Sequence, residues 1–210
     1  MAYFTLKPET FTWEQEIKKS RFIVNFARFT NEEDAQAFIE RISKQHDKAR
    51  HNVFAYVLGD HDAIQRYSDN GEPSGTAGVP MLEVLKNNEV HDVIAVVTRY
   101  FGGIKLGAGG LIRAYAGTVA DGLQAAGMVE RLTRTAVTVN LDYKFVDSFQ
   151  FWLREHDFQV IDTAFGVQVA LVVPVAKVNL PTFQTDVTNL LGGQVAFKIG
   201  DDVHFEIDRK

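Results

Sequence analysis

The sequence contains no cysteine. That excludes disulfide frameworks, thiolate zinc sites and cysteine nucleophiles together. Long apolar runs are missing too: stretches such as Val93–Val97 and Val167–Val173 fall far short of the ~20 residues that cross a bilayer. The opening residues MAYFTLKPETFTWEQEIKKSRF have no basic segment leading into an apolar one, so no secretory signal is read there. A cytoplasmic location is expected, with no membrane partner. Nor is there a surplus of positive charge. The formal net charge is −5 and the isoelectric point about 5.7, whereas a protein that coats nucleic acid along its whole surface is normally basic. A local basic patch on an acidic body is compatible with these figures. The six histidines show no His-x-x-x-His spacing and no Glu-paired zinc motif, so no metal site and no cofactor are expected. Internal repeats and low-complexity segments are absent.

What is present is an ordinary globular composition, 46% hydrophobic and 23% charged over 210 residues, enough for one large core or two modest ones. Phe11–Ile17 and Phe22–Phe26 alternate in character and read as strands broken at Lys18-Lys19-Ser20. Thr30 and Glu33 form a capping box for a helix running to about Lys44. Strands follow at Asn52–Leu58 and Ile64–Ser68, then a turn-rich loop, a helix over Met81–Asn87 and a buried-type strand at Val93–Thr98. A helix over Gly109–Ala126 carries Ala114, Ala116, Gly117 and Ala120, which keep one side thin for close approach to a sheet. The pattern breaks near Val129–Arg134 and restarts as strand Ala136–Tyr143, helix Val146–His156, strands Gln159–Phe165 and Val167–Val173, helix Leu180–Leu191, and a hairpin around Gly200-Asp201-Asp202. That order, βαββαβ, is the ferredoxin-like one. Two domains are expected, residues 1–132 and 133–210.

Residue choice departs furthest from packing needs in TRYFGGIKLGAGGLIRAY, with Gly102, Gly103, Gly107, Gly109 and Gly110 between a buried strand and a helix. Such glycines permit positive φ and close backbone approach. They deliver free N–H groups at a helix N-terminus, where the macrodipole favours negative charge. Arg99, Lys105 and Arg113 add full charges able to clamp a phosphate. Neither the Walker A loop nor the dinucleotide fingerprint fits: Ala108-Gly109 follows Gly107, and Ile112 stands where the third glycine belongs. Two readings stay open from the residues, an anion site or glycines that serve turns and helix–sheet packing.

The second loop, Asp69-Asn70-Gly71-Glu72-Pro73-Ser74-Gly75-Thr76-Ala77-Gly78, carries two carboxylates. Near a phosphate they can hold Mg²⁺, or they cap turns and pair with Arg99 or Arg113. Ser74 lacks the G-x-S-x-G elbow and any companion base. Possible ligand contacts are His51, Asp69, Glu72, Ser74 and Thr76. Tyr100 and Phe101 are placed either to stack bases or to join the core. No catalytic residue is assigned.

The blocks ARHNVFAY (49–56), SDNGEPSGTAGVPMLEVL (68–85) and VVTRYFGGIKLGAGGLIRAY (96–115) resemble the IMPACT family, also called YigZ, in its bacterial branch with a DUF1949-type C-terminal domain. The resemblance implies a ribosomal protein S5 domain 2-like fold for the first domain, related to domain IV of elongation factor G. It implies a ferredoxin-like second domain similar to those of the same factor. Eukaryotic members regulate translation by competing for a partner of a stress-responsive kinase, through regions this chain lacks. Two departures stand out: Asn70 where an acidic residue is common, and Val79 where a basic one is frequent.

The expectation is therefore an α+β chain acting as a non-catalytic, translation-linked regulator. Its partners would be RNA or a ribosome-associated protein, met through the cationic glycine loop. The alternative is an enzyme acting on a small phosphorylated substrate or nucleotide, since S5-like folds also house kinases that cradle phosphate on such loops.

Overall fold

A computed structural model describes residues 2–59 and 62–208. Packing divides the chain into two units, Arg131–Glu206 and Tyr3–Glu130, the latter with Ile207 and Asp208.

The larger unit holds β1 (Ala2–Leu6), β2 (Thr10–Ile17), β3 (Ser20–Arg28), α1 (Glu32–Gln45), β4 (His51–Leu58), β5 (Ile64–Ser68), α2 (Gly78–Asn87), β6 (Val93–Tyr100) and α3 (Ala108–Ala126). Five strands pair in the order β2-β3-β6-β4-β5, every neighbour antiparallel. The central strand β6 is buried on both faces because its residues alternate between two cores. Val93, Ala95 and Val97 join Met81, Leu85, Leu111, Tyr115 and Leu123 from α2 and α3. Ile94 and Val96 join Ala35, Phe38 and Ile42 from α1. Period 2 in the strand thus meets helical periodicity on either side.

Several details depart from the sequence reading. The cap of α1 is Asn31, whose Oδ1 accepts from the Asp34 N–H at 2.9 Å, in place of the Thr30–Glu33 box. Starting one residue later puts Glu32, Glu33 and Asp34 in the first turn, where the dipole favours them. Lys18 and Lys19 turn the β2–β3 hairpin with φ of 48° and 63°, the left-handed pair of a two-residue turn. The close approach of α3 to the sheet is set by Gly122, where a Cβ would lie 2.7 Å from Phe26 Cε2. Gly117 and Ala120 are not what admits it: a Cβ at Gly117 meets nothing within 4 Å, and Ala120 is exposed. Strand β1 has no counterpart in the sequence reading; it bridges to Val90 through Phe4.

The smaller unit contains β7 (Met128–Leu141), α4 (Val146–Glu155), β8 (Asp162–Phe165), β9 (Val169–Val175), α5 (Leu180–Leu190) and β10 (Ala196–Asp208). Strand β7 lies between β9 and β10, and β8 lies outside β9. This is the ferredoxin-like βαββαβ arrangement. Phe149 and Leu153 of α4 and Phe183 and Val187 of α5 pack on Val137, Val139, Leu171 and Val173. Two expected breaks are absent. β7 runs unbroken through Val129–Arg134, and β10 runs straight through Gly200–Asp202 instead of turning there. Gly200 lets β10 lie against β7, since a Cβ there would sit 3.2 Å from the Ala136 carbonyl oxygen. Asp202 accepts from the Thr135 hydroxyl at 2.9 Å. Pairing with β7 overrides the local turn signal. Among the described residues no helix is long and apolar enough to cross a membrane.

His46, after α1, lies with Nδ1 3.0 Å from the Tyr100 hydroxyl. Partial burial, reinforced by the Arg21 charge and opposed by Glu14, holds its imidazole below the ordinary 6.5. The unfolded chain therefore takes the proton more readily. His46's contribution to stability is complete above 6.5 and is lost as pH falls from 6.5 through its folded value. Urea unfolding at stepped pH should show wild type losing stability relative to His46→Gln over that interval. A pH-independent difference between the two proteins contradicts this assignment.

Candidate functional site

Strand β6 delivers Arg99 and Tyr100 to one end of the sheet, and residues 101–107 carry the chain from there to α3. Gly102 is fixed by packing: a Cβ there would lie 1.8 Å from the Lys19 carbonyl oxygen. Gly107, at φ 72°, turns the chain into the helix, a conformation that side chains resist. Gly103 is also left-handed, and Gly110 packs tightly on Leu106. Gly109 answers to neither demand, for a Cβ on it would meet only Arg113 Nη1, at 3.8 Å. No side chain caps α3, and its first turn, Ala108-Gly109-Gly110, has no acidic residue. The first N–H groups of a helix have no partner within it, so this end presents bare donors with the positive end of the dipole behind them.

The other helix on this face is treated differently. Asp69 reaches across the second loop to the start of α2, where Oδ1 accepts from Ala77 N at 3.0 Å and Gly78 N at 2.8 Å. Its Oδ2 accepts from Gly75 N at 2.8 Å. Asn70 Oδ1 accepts from Asn52 N at 2.8 Å, and Thr76 Oγ1 donates to the Pro73 carbonyl at 2.6 Å. The loop is a folded clasp, and Asp69 is its fastening. Ser74 stands exposed on it.

Glu72 points inward and is 8% exposed; Arg99 is 6% exposed. Arg99 Nη1 donates to Glu72 Oε1 at 2.7 Å, and the Tyr115 hydroxyl donates to the same oxygen at 2.8 Å. Burial first, then the Glu72 charge, drives the Tyr115 phenol far above its ordinary range, so it stays a neutral donor. The Arg99 guanidinium lies 5.5 Å from the ring centres of both Phe22 and Phe101. Arg99 is thus neutralised internally, and the expected clamp of three like cations does not form. Three of the four carboxylate oxygens of Asp69 and Glu72 are engaged, which leaves Asp69 unsuited as a base and the pair unsuited to Mg²⁺. Among the described residues no group of three His, Asp or Glu can hold a metal; His61 lies outside them.

Lys105 and Arg113 are exposed, and no ion pair among the described residues holds either. Between the two loops lies a cavity of about 320 Å³, whose polar lining is Arg50, His51, Glu72, Arg99 and Lys105. Phe101, Leu106, Leu111 and Pro73 form its apolar wall. Arg113 lies outside this lining, its guanidinium over Gly109. His51 opens β4 and donates from Nδ1 to the Asn70 carbonyl at 2.9 Å. Tyr100 is tied to His46, while Phe101 is 54% exposed. Sequence reasoning missed Arg50. Its signal was position alone, immediately before His51 and outside the glycine loop.

The described Impact N-terminal domain matches residues 18–123, and the domain of unknown function DUF1949 matches residues 139–194. The IMPACT family member YvyE of Bacillus subtilis is 45% identical over 98% of this chain and 94% of its own. The chain belongs to the IMPACT family. The Escherichia coli member YigZ is 40% identical over 78% of this chain and 82% of its own. A crystal structure of a hypothetical protein superposes with a TM-score of 0.60 at 32% identity, covering 95% of this chain and 97% of that one. A Dictyostelium discoideum protein IMPACT homolog is 35% identical over 94 residues, 43% of this chain and 27% of its own. The IMPACT blocks at 49–56, 68–85 and 96–115 are the segments that build the cavity, the clasp and the α3 end.

The division between structural and free charges is measurable. Glu72→Gln leaves a buried guanidinium without its anion and should cost about 3–5 kcal/mol. Asp69→Ala frees three N–H groups and should cost roughly 2 kcal/mol or more. Lys105→Ala should stay within about 0.5 kcal/mol of wild type. Urea midpoints test all three; a Glu72→Gln protein as stable as Lys105→Ala contradicts the assignment.

Proposed function

We propose that this chain binds RNA phosphate at the α3 end of its IMPACT domain, in a non-catalytic role linked to translation. One observation carries the reading: an uncapped helix N-terminus whose surrounding cations, Arg50, Lys105 and Arg113, have no internal ion pair among the described residues. Bare N–H groups, dipole and mobile charge together favour a phosphate oxygen over water. Gly109 supports the same reading, since a Cβ there would meet only Arg113 Nη1 at 3.8 Å and no packing contact requires glycine. The net charge of −5 limits such binding to this patch. It also makes the contact local and salt-sensitive. The family relation to eukaryotic IMPACT proteins extends over 94 residues, 43% of this chain.

An enzyme acting on a small phosphorylated substrate is favoured by the presence of the cavity and opposed by its side chains. Asp69 is consumed as a cap and Glu72 as a counter-ion.

Co-sedimentation with ribosomes and with free structured RNA across a salt series tests the proposal. Wild type should bind at low salt and release as salt rises. Lys105→Glu/Arg113→Glu should weaken binding at least about tenfold through two lost and reversed contacts, with an unchanged melting temperature. Equal binding by the two proteins, or none by wild type at low salt, sinks it.

A further inference from the structure

The cavity offers more than an anion requires. Its volume, about 320 Å³, is at the small end of ligand pockets. It has room for one nucleotide-sized body and no more. Its walls combine the cations Arg50 and Lys105 and the first turn of α3 with the paired Arg99 and Glu72 and the apolar Pro73, Phe101, Leu106 and Leu111.

One polar atom on these walls is free to meet a ligand. Arg99 lines the cavity but is more than nine-tenths buried and holds Glu72, so its guanidinium is part of the wall. His51 donates from Nδ1 to a backbone carbonyl, so the neutral ring has Nε2 as an acceptor. A ligand that matches these walls presents an anion, a body for the apolar residues and a donor for His51 Nε2. Phe101 contributes a half-exposed ring braced from one side by the Arg99 guanidinium at 5.5 Å. Such a ring is a stacking platform for any base.

We propose that the cavity takes one phosphorylated ribonucleoside unit, its phosphate at the α3 end with Lys105 and Arg50, its base on Phe101, and a ribose hydroxyl on His51 Nε2. The proposal rests on the phosphate-binding reading above and adds the chemistry of the body. The unit is either a free 5′-mononucleotide or the 5′-phosphorylated end of an RNA strand.

Calorimetric titration of the full chain separates these terms. AMP and UMP should bind. Adenosine and inorganic phosphate should each bind at least about tenfold more weakly, having lost one half of the contacts. Deoxy-AMP should bind about fivefold more weakly than AMP through the lost hydroxyl. Phe101→Ala should weaken AMP about tenfold and leave inorganic phosphate unaffected, and Phe101→Trp should restore AMP. A short RNA with a 5′-phosphate that outcompetes its 5′-hydroxyl twin identifies the strand end as the source. Equal competition identifies the free nucleotide. AMP binding no tighter than phosphate, or unchanged by Phe101→Ala, overturns the proposal. If structured RNA co-sediments while no mononucleotide binds, the cavity assignment falls and the phosphate-binding reading stands. Mononucleotide binding without any RNA co-sedimentation keeps the cavity assignment and the phosphate site and removes RNA as the partner.

Discussion

Arg99 closes the central strand of the larger sheet with its guanidinium buried between two phenyl rings, so the fold has to bring it an anion. Glu72 supplies that anion from a loop 27 residues earlier, and Tyr115 fixes the carboxylate from a helix 43 residues later. Ser20, the first residue of β3, completes the surroundings by accepting from Gly102 N at 3.2 Å. A buried pair of this kind adds little net stability, because desolvation opposes the Coulomb gain, yet losing either partner is severely destabilising. It acts as a register pin. Hairpin turn, clasp, β6 and α3 hold their positions relative to one another because misplacing any of them strands a charge.

That pin explains how the rest of the site is arranged. With Glu72 held inward, the loop that carries it must be closed behind it, and Asp69 does this by capping α2. One helix start is thereby satisfied by the protein itself. Its neighbour, α3, is left open in a fold that caps α2 with a carboxylate of its own. The glycines divide in the same way. Gly102 and Gly107 serve the backbone, whereas Gly109 serves nothing within the chain. The cations divide too, Arg99 inward and Lys105, Arg50 and Arg113 outward. What remains after the structural roles are assigned is Arg50 and Lys105 lining one cavity, with Arg113 outside it near Gly109.

Much of the fold was legible because apolar periodicity encodes which face is buried. The alternation in β3 and the unbroken apolar run of β6 marked both as strands, β6 as one of buried type. The shared faces of α4 and α5, with the strand order, gave the second unit. What failed were local signals overruled by distant partners: Gly200-Asp201-Asp202 pairs along β7, and Asn31 outcompetes Thr30 by one residue. β1 is short and carries no strong signal of its own. For the site, the glycine loop announced itself. The roles of its charges did not, since Arg99, Lys105 and Arg113 are equivalent as letters and only burial separates them. Pairings across 27 and 43 residues leave no trace in local spacing, and Arg50 drew no notice outside the loop.

The central claim is that the bare N–H groups of Ala108, Gly109 and Gly110 are where this protein meets its ligand. Amide chemical shifts followed by NMR during titration with a short RNA report on those groups one by one. The account predicts saturable shifts concentrated at residues 107–110 and at Lys105, which vanish at high salt. Shifts confined to other surfaces, with residues 107–110 unmoved, would contradict it.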